Sequence, residues 1–73
     1  NHNFKRQTFD LLTGPIILED GVWIGAKSIV APGITCHSHS ILTLGSIAAA
    51  NLNAYGIYKG NPATLKKQRT IEA

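Results

Sequence analysis

The chain has 73 residues, 44% of them apolar and 15% charged, with a single Cys and a net charge of +3. Such a chain makes one small domain that buries only about 60% of the surface its unfolded form exposes, and one Cys excludes an intrachain disulfide or a Cys-rich zinc cage. Support from partner subunits is therefore expected.

Four of the seven cations, Lys59, Lys66, Lys67 and Arg69, fall in the last fifteen residues. A local cluster of this kind suits either an anion held at one end of the fold or plain solvation. It lacks the basic stripe with interleaved aromatics that marks nucleic-acid binding. No apolar run reaches the roughly 18 residues of a membrane span and no basic segment followed by an apolar run opens the chain. A soluble, cytoplasmic protein is expected, without nucleic-acid or membrane partners. The opening Asn1 is not an initiator Met, so the chain is expected to be either processed or, the favoured alternative, the C-terminal part of a longer protein.

Residues 1–15 carry no apolar period before Leu12 and are expected to form a loop. From residue 16 to 58 neither the helical stripe nor simple alternation holds, whereas a step of six does. Leu12, Leu18, Ile24, Val30, Cys36, Leu42, Ala48 and Ala54 fall on one phase, all apolar or small. Three residues after each lead, Gly21, Lys27, Gly33, His39, Gly45 and Asn51 are types that suit turns. This is the hexapeptide period of a parallel β-helix. Three hexads make one triangular coil of eighteen residues, so Leu12, Val30 and Ala48 should stack, as should Leu18, Cys36 and Ala54, and Ile24 over Leu42. Cys36 then reads as a core residue rather than a reactive thiol. Beyond the coils, Gly60-Asn61-Pro62-Ala63 reads as a turn into an N-cap and first-turn proline. Residues 59–73 are thus expected to give that turn and a short, basic C-terminal α-helix running through Leu65 to about Arg69.

Three blocks carry a resemblance: Glu19-Asp20-Gly21-Val22-Trp23-Ile24-Gly25-Ala26, Ala31-Pro32-Gly33-Ile34-Thr35 and Gly60-Asn61-Pro62-Ala63. In this order and spacing they resemble the hexapeptide-repeat acyltransferases, most closely the colanic acid O-acetyltransferase branch related to galactoside and maltose acetyltransferases. The resemblance implies an all-β fold, a left-handed parallel β-helix, against the usual right-handed crossover rule. It further implies a homotrimer with sites between subunits, acetyl-CoA as acyl donor, and a sugar or surface-polysaccharide precursor as acceptor.

By the same resemblance His2 is the general base, an imidazole that takes the proton of a sugar hydroxyl as its oxygen attacks the thioester. Gln7 stands where the branch usually has Pro. Trp23 belongs to the acceptor side at a subunit interface, where an aromatic also serves simple packing. Cofactor-binding positions match Ala26, Leu44, Ala49, Ala50, Thr64 and Lys67. Relatives usually carry Lys where this chain has Ala50, so reduced CoA affinity is expected, with the phosphate contacts shifted to Lys66, Lys67 and Arg69. A carbonic anhydrase class of the same fold binds zinc through three His. His37 and His39, separated by one residue, lack the spacing of its ligands, and exposed His without metal is expected. An assembling β-helix segment without turnover is the alternative to the enzyme.

Overall fold

The computed structural model describes residues 14–70. Its organising distance is eighteen residues. Ile17 pairs with Thr35, Trp23 with Ile41 and Ile29 with Ile47, each in parallel register. The paired strands are β1 (Ile17–Leu18) with β4 (Thr35–Cys36), β2 (Trp23–Ile24) with β5 (Ile41–Leu42), and β3 (Ile29–Val30) with β6 (Ile47–Ala48). They form the three faces of a coil whose turns are tied by bonds such as Trp23 N–H to the Ser40 carbonyl at 3.0 Å and Ile29 N–H to the Ser46 carbonyl at 2.9 Å.

Each strand has two residues, one pointing out and one pointing in, because side chains alternate across a pleat. The inward set contains Cys36, Leu42 and Ala48, all fully buried. Burial of a side chain the size of Leu42 contributes about 1.5–3 kcal/mol. In the first turn of the coil the equivalent Leu18 and Ile24 are exposed.

The corners follow the turn column read from the sequence. Gly21, Lys27, Gly33, His39 and Gly45 all have φ between 58° and 80°. Glycine enters that region without a Cβ penalty, while Lys27 and His39 are held there by the bonds of the coil.

The sixth corner departs from the hexad count. Ile41 pairs with Ile57, Leu42 with Tyr58 and Cys36 with Leu52, all sixteen residues on. The last turn of the coil is two residues shorter. Leu52, 1% exposed, therefore fills the column expected for Ala54; Asn51 does not take the left-handed conformation, and the next left-handed corner falls at Tyr55 (φ 64°), sixteen residues after His39. Leu52 buries more apolar surface than Ala54, which favours this register. Asn51 instead turns its side chain back, its Oδ1 accepting the Thr35 N–H at 2.8 Å. Tyr58 lies beneath Leu42 and closes the core, its hydroxyl oxygen accepting the Asn53 N–H at 2.9 Å.

The expected C-terminal helix is not formed among the described residues. β7 (Gly56–Gly60) is followed by a turn at Asn61-Pro62, joined by a cis peptide bond, and by β8 (Ala63–Gln68), which pairs antiparallel with β7. The turn itself was legible, but its partner is a strand. A helix of about seven residues is marginal in water by itself, whereas β7 offers a row of backbone groups that β8 satisfies. The sheet β2-β5-β7-β8 is thus three parallel strands closed by one reversed strand.

Candidate functional site

The second face carries most of the positions singled out in the sequence. Trp23, Ile41, Ile57 and Lys67 occupy one register line across its four strands. Trp23 is 67% exposed, so the indole stands on the outside of the coil. Lys67 lies three strands away, about 14 Å at the usual strand spacing.

Where these strands end, Ala26, Leu44 and Thr64 come to one edge. The Gly45 N–H donates to the Ala26 carbonyl at 2.9 Å, joining the first two coils there. Thr43 N–H bonds the Tyr58 carbonyl at 2.9 Å, and Thr64 pairs with the next residue, Lys59. Leu44 is 70% exposed, and open space surrounds the position of a Cβ on Gly45. Gly25 meets the backbone of Leu44 so closely that a Cβ would collide with it. This edge is accessible, and its coils are tied together by backbone bonds.

Hydroxyls brace the edge from inside. Ser28 Oγ donates to the Thr43 carbonyl at 2.8 Å, and Ser46 Oγ lies 3.0 Å from Thr43 Oγ1 while accepting the Gly60 N–H at 3.0 Å. Ser46 is buried, so these bonds are shielded from water. Ala49 and Ala50 are exposed beyond β6, one strand away from Leu44. They are uncharged, and the structure does not bring them to the Ala26–Leu44–Thr64 edge. His2 lies outside the described residues.

The opposite end of the second face begins at a polar corner. Glu19 Oε1 accepts from Ser38 N–H at 3.0 Å and Ser38 Oγ at 3.2 Å, and lies 3.3 Å from His37 Nδ1. Partial desolvation pushes the Glu19 carboxyl up, but these bonds outweigh it and hold the group below its ordinary value. His37 is thereby engaged with a carboxylate. His39, two residues on, stacks on Tyr55 with ring centroids 5.0 Å apart. Among the described residues no group of three or more His, Cys, Asp or Glu is arranged to hold a metal ion. Burial raises the Cys36 thiol pKa, as suits a core side chain.

One residue has a role that charge counting missed. Arg69, expected near a phosphate, turns instead to this corner, its Nη1 donating to the His39 carbonyl at 2.9 Å and the Gly21 carbonyl at 3.4 Å. Its isolated position after a short basic run held no signal for such a role.

No family model matches the chain. Among curated relatives, WcaF of Escherichia coli K12, assigned to colanic acid biosynthesis as an acetyltransferase, is 28% identical over 94% of this chain and 38% of its own length. AntD, an N-acyltransferase from Bacillus cereus crystallised with dTDP and 3-hydroxybutyryl-CoA, superposes with a TM-score of 0.77 at 33% identity, over 80% of this chain and 31% of that one. A hexapeptide-repeat acetyltransferase from Vibrio cholerae, crystallised with acetyl coenzyme A, gives 0.76 at 26% identity, over 80% of this chain and 32% of that one. The chain spans between 28% and 38% of the length of the first curated relatives it matches. No helix of the described residues is long and apolar enough to cross a membrane. Superposition preserves chirality, so the coil shares the hand of these structures, the left hand that the family resemblance implies. Across most of its length the chain is thus a homologue of the hexapeptide-repeat acetyltransferases and is built on their coil.

Proposed function

We propose that the protein transfers an acetyl group from acetyl-CoA to a hydroxyl of a saccharide, a precursor of surface polysaccharide, at sites between the subunits of a cytoplasmic homotrimer. The observation that carries this reading is the accessible backbone edge of Ala26, Leu44 and Thr64, reached by the same strands that expose Trp23, on a coil shared with structures holding acyl-CoA. An extended pantetheine arm suits an accessible edge with open space at Gly45. Trp23 gives the acceptor side an aromatic surface against which the apolar face of a sugar ring packs. Lys67 supplies a positive charge on the same face for the phosphates of the donor.

In this reading His2 acts as general base. Its neutral imidazole takes the hydroxyl proton while the hydroxyl oxygen forms a bond to the thioester carbonyl carbon. The carbon–sulfur bond then breaks, and the departing CoA thiolate recovers the proton from the imidazolium. No acyl-enzyme forms, so a single displacement carries the acetyl group across.

The test is release of free CoA thiol from acetyl-CoA by this chain and by His2→Ala, with a panel of sugars. Amino sugars belong in the panel because the Bacillus cereus neighbour is an N-acyltransferase. Sugar-dependent release that disappears in His2→Ala supports the reading. Equal release from both rejects His2 as the base, and preference for amino sugars makes nitrogen the acceptor atom. The uncharged pair Ala49-Ala50 favours one second reading, a trimerising coil segment without turnover. Silence from both proteins, in trimers shown by sedimentation, selects it.

A further inference from the structure

The corner that precedes Trp23 is held by the end of the chain. Its three levels are Gly21, His39 and Tyr55, the residues at which the three successive turns of the coil take positive φ, 73°, 61° and 64°. Arg69 bonds the carbonyl of every level. Its own N–H donates to the Tyr55 carbonyl at 2.6 Å, and its Nη1 reaches the His39 and Gly21 carbonyls. The contact to Gly21 spans 48 residues of sequence. Gln68 adds a bond from its Nε2 to the Ala54 carbonyl at 3.2 Å.

We propose that Arg69 is a positioning residue that fixes the corner Glu19–Val22, and through it Trp23, for the acceptor. The assignment rests on the acyl-transfer reading only in calling Trp23 the acceptor side. Trp23 begins β2 directly after this corner, so the angle at which the indole leaves the face is set there. Both carbonyls are served by one nitrogen, Nη1, whose two N–H donors are fixed in direction by the plane of the guanidinium. The ammonium of a lysine stands one bond nearer the backbone and falls short of the Gly21 carbonyl, which already lies 3.4 Å from Nη1. β8 is independently secured by its pairing with β7, so the Ala26–Leu44–Thr64 edge does not depend on Arg69.

The experiment compares the full chain with Arg69→Gln and Arg69→Lys by amide hydrogen exchange and by acrylamide quenching of Trp23, the single Trp of the sequence. Both variants are expected to speed exchange at the corner amides of Trp23, His39 and Tyr55 by about tenfold, the loss of a charged hydrogen bond. Trp23 should become easier to quench, and the amides of Ala31 and Gly45 on the other corners should keep their protection. In turnover, KM for the acceptor rises while KM for acetyl-CoA is unchanged. Acceleration spread evenly over all three corners, or full rescue by Arg69→Lys, overturns the proposal. Wild-type protein that shows the local exchange pattern but no turnover rejects the acyl-transfer reading and leaves the corner assignment standing.

Discussion

The imidazole of His39 occupies the space that a side chain on Gly21 would need: a Cβ built there would overlap His39 Nδ1 and Cε1. The two residues lie one coil apart on the same corner, and each requires the other. A ring can fill the gap only above a glycine.

Gly21→Ala is therefore expected to cost about 2–5 kcal/mol, combining a left-handed φ of about 1–2 kcal/mol with an overpacked contact of about 1–3 kcal/mol. His39→Ala in the same chain should recover the second part and leave the first. Thermal melting of the single and double variants gives the coupling. Additive losses would show that the ring does not press on this position.

Ser40 is fully buried, and its Oγ has no hydrogen-bond partner among the described residues. A buried hydroxyl without a partner costs about 1–3 kcal/mol. Ser40→Ala should thus be neutral or raise the melting temperature, unlike most core changes. Destabilisation above about 1 kcal/mol would mean that the hydroxyl is satisfied in solution.

The Glu19 carboxyl sits below its ordinary 4.5 in the folded protein because the Ser38 and His37 bonds to its charged form outweigh desolvation. The unfolded state then binds a proton more readily, so the group stabilises the fold above its unfolded pKa. That contribution fades as the pH falls from 4.5 through the lower folded value. Melting curves of wild type and Glu19→Gln should differ at neutral pH and converge in acid. Curves that run parallel across this range would exclude the linkage.

Ala50→Lys places a cation beside the coil at the position where the family resemblance implies one. Calorimetric titration with CoA should show about two- to fivefold tighter binding, the worth of one exposed charge on a phosphate. The gain should shrink in high salt. An unchanged Kd would remove Ala50 from the phosphate site.

The coil itself was legible because one physical rule repeats: a small or apolar residue turns inward every sixth position, and a turn-tolerant residue follows three places later. Gly21, Lys27, Gly33, His39 and Gly45 obey it without exception. The rule failed where the repeat ended. Ala54 kept the phase on paper, but Leu52 offered the larger apolar side chain two residues earlier, and packing chose it. β8 was misread for a related reason. Thr64 to Gln68 suits a helix by composition, and only the open edge of β7, a neighbour in space, decides for a strand. Of the positions singled out, Ala26 and Leu44 lie eighteen residues apart on one corner as the coil period implies, Thr64 reaches their edge only through the unforeseen β8, and Ala49 and Ala50 sit apart. Arg69 required three dimensions, since its partner Gly21 lies 48 residues away.

A parallel coil is by nature a stackable object, because each turn presents the next with a matching template. At this end the template is withdrawn. The turn of sixteen residues breaks the perimeter, and the reversed β8 offers bond spacings that a parallel strand does not match. Lys66 and Lys67 further charge that strand against another of its kind. The molecule thus has one end at which it resists growing into a fibre, and the residues that reverse the chain at Asn61-Pro62 also keep it a discrete particle.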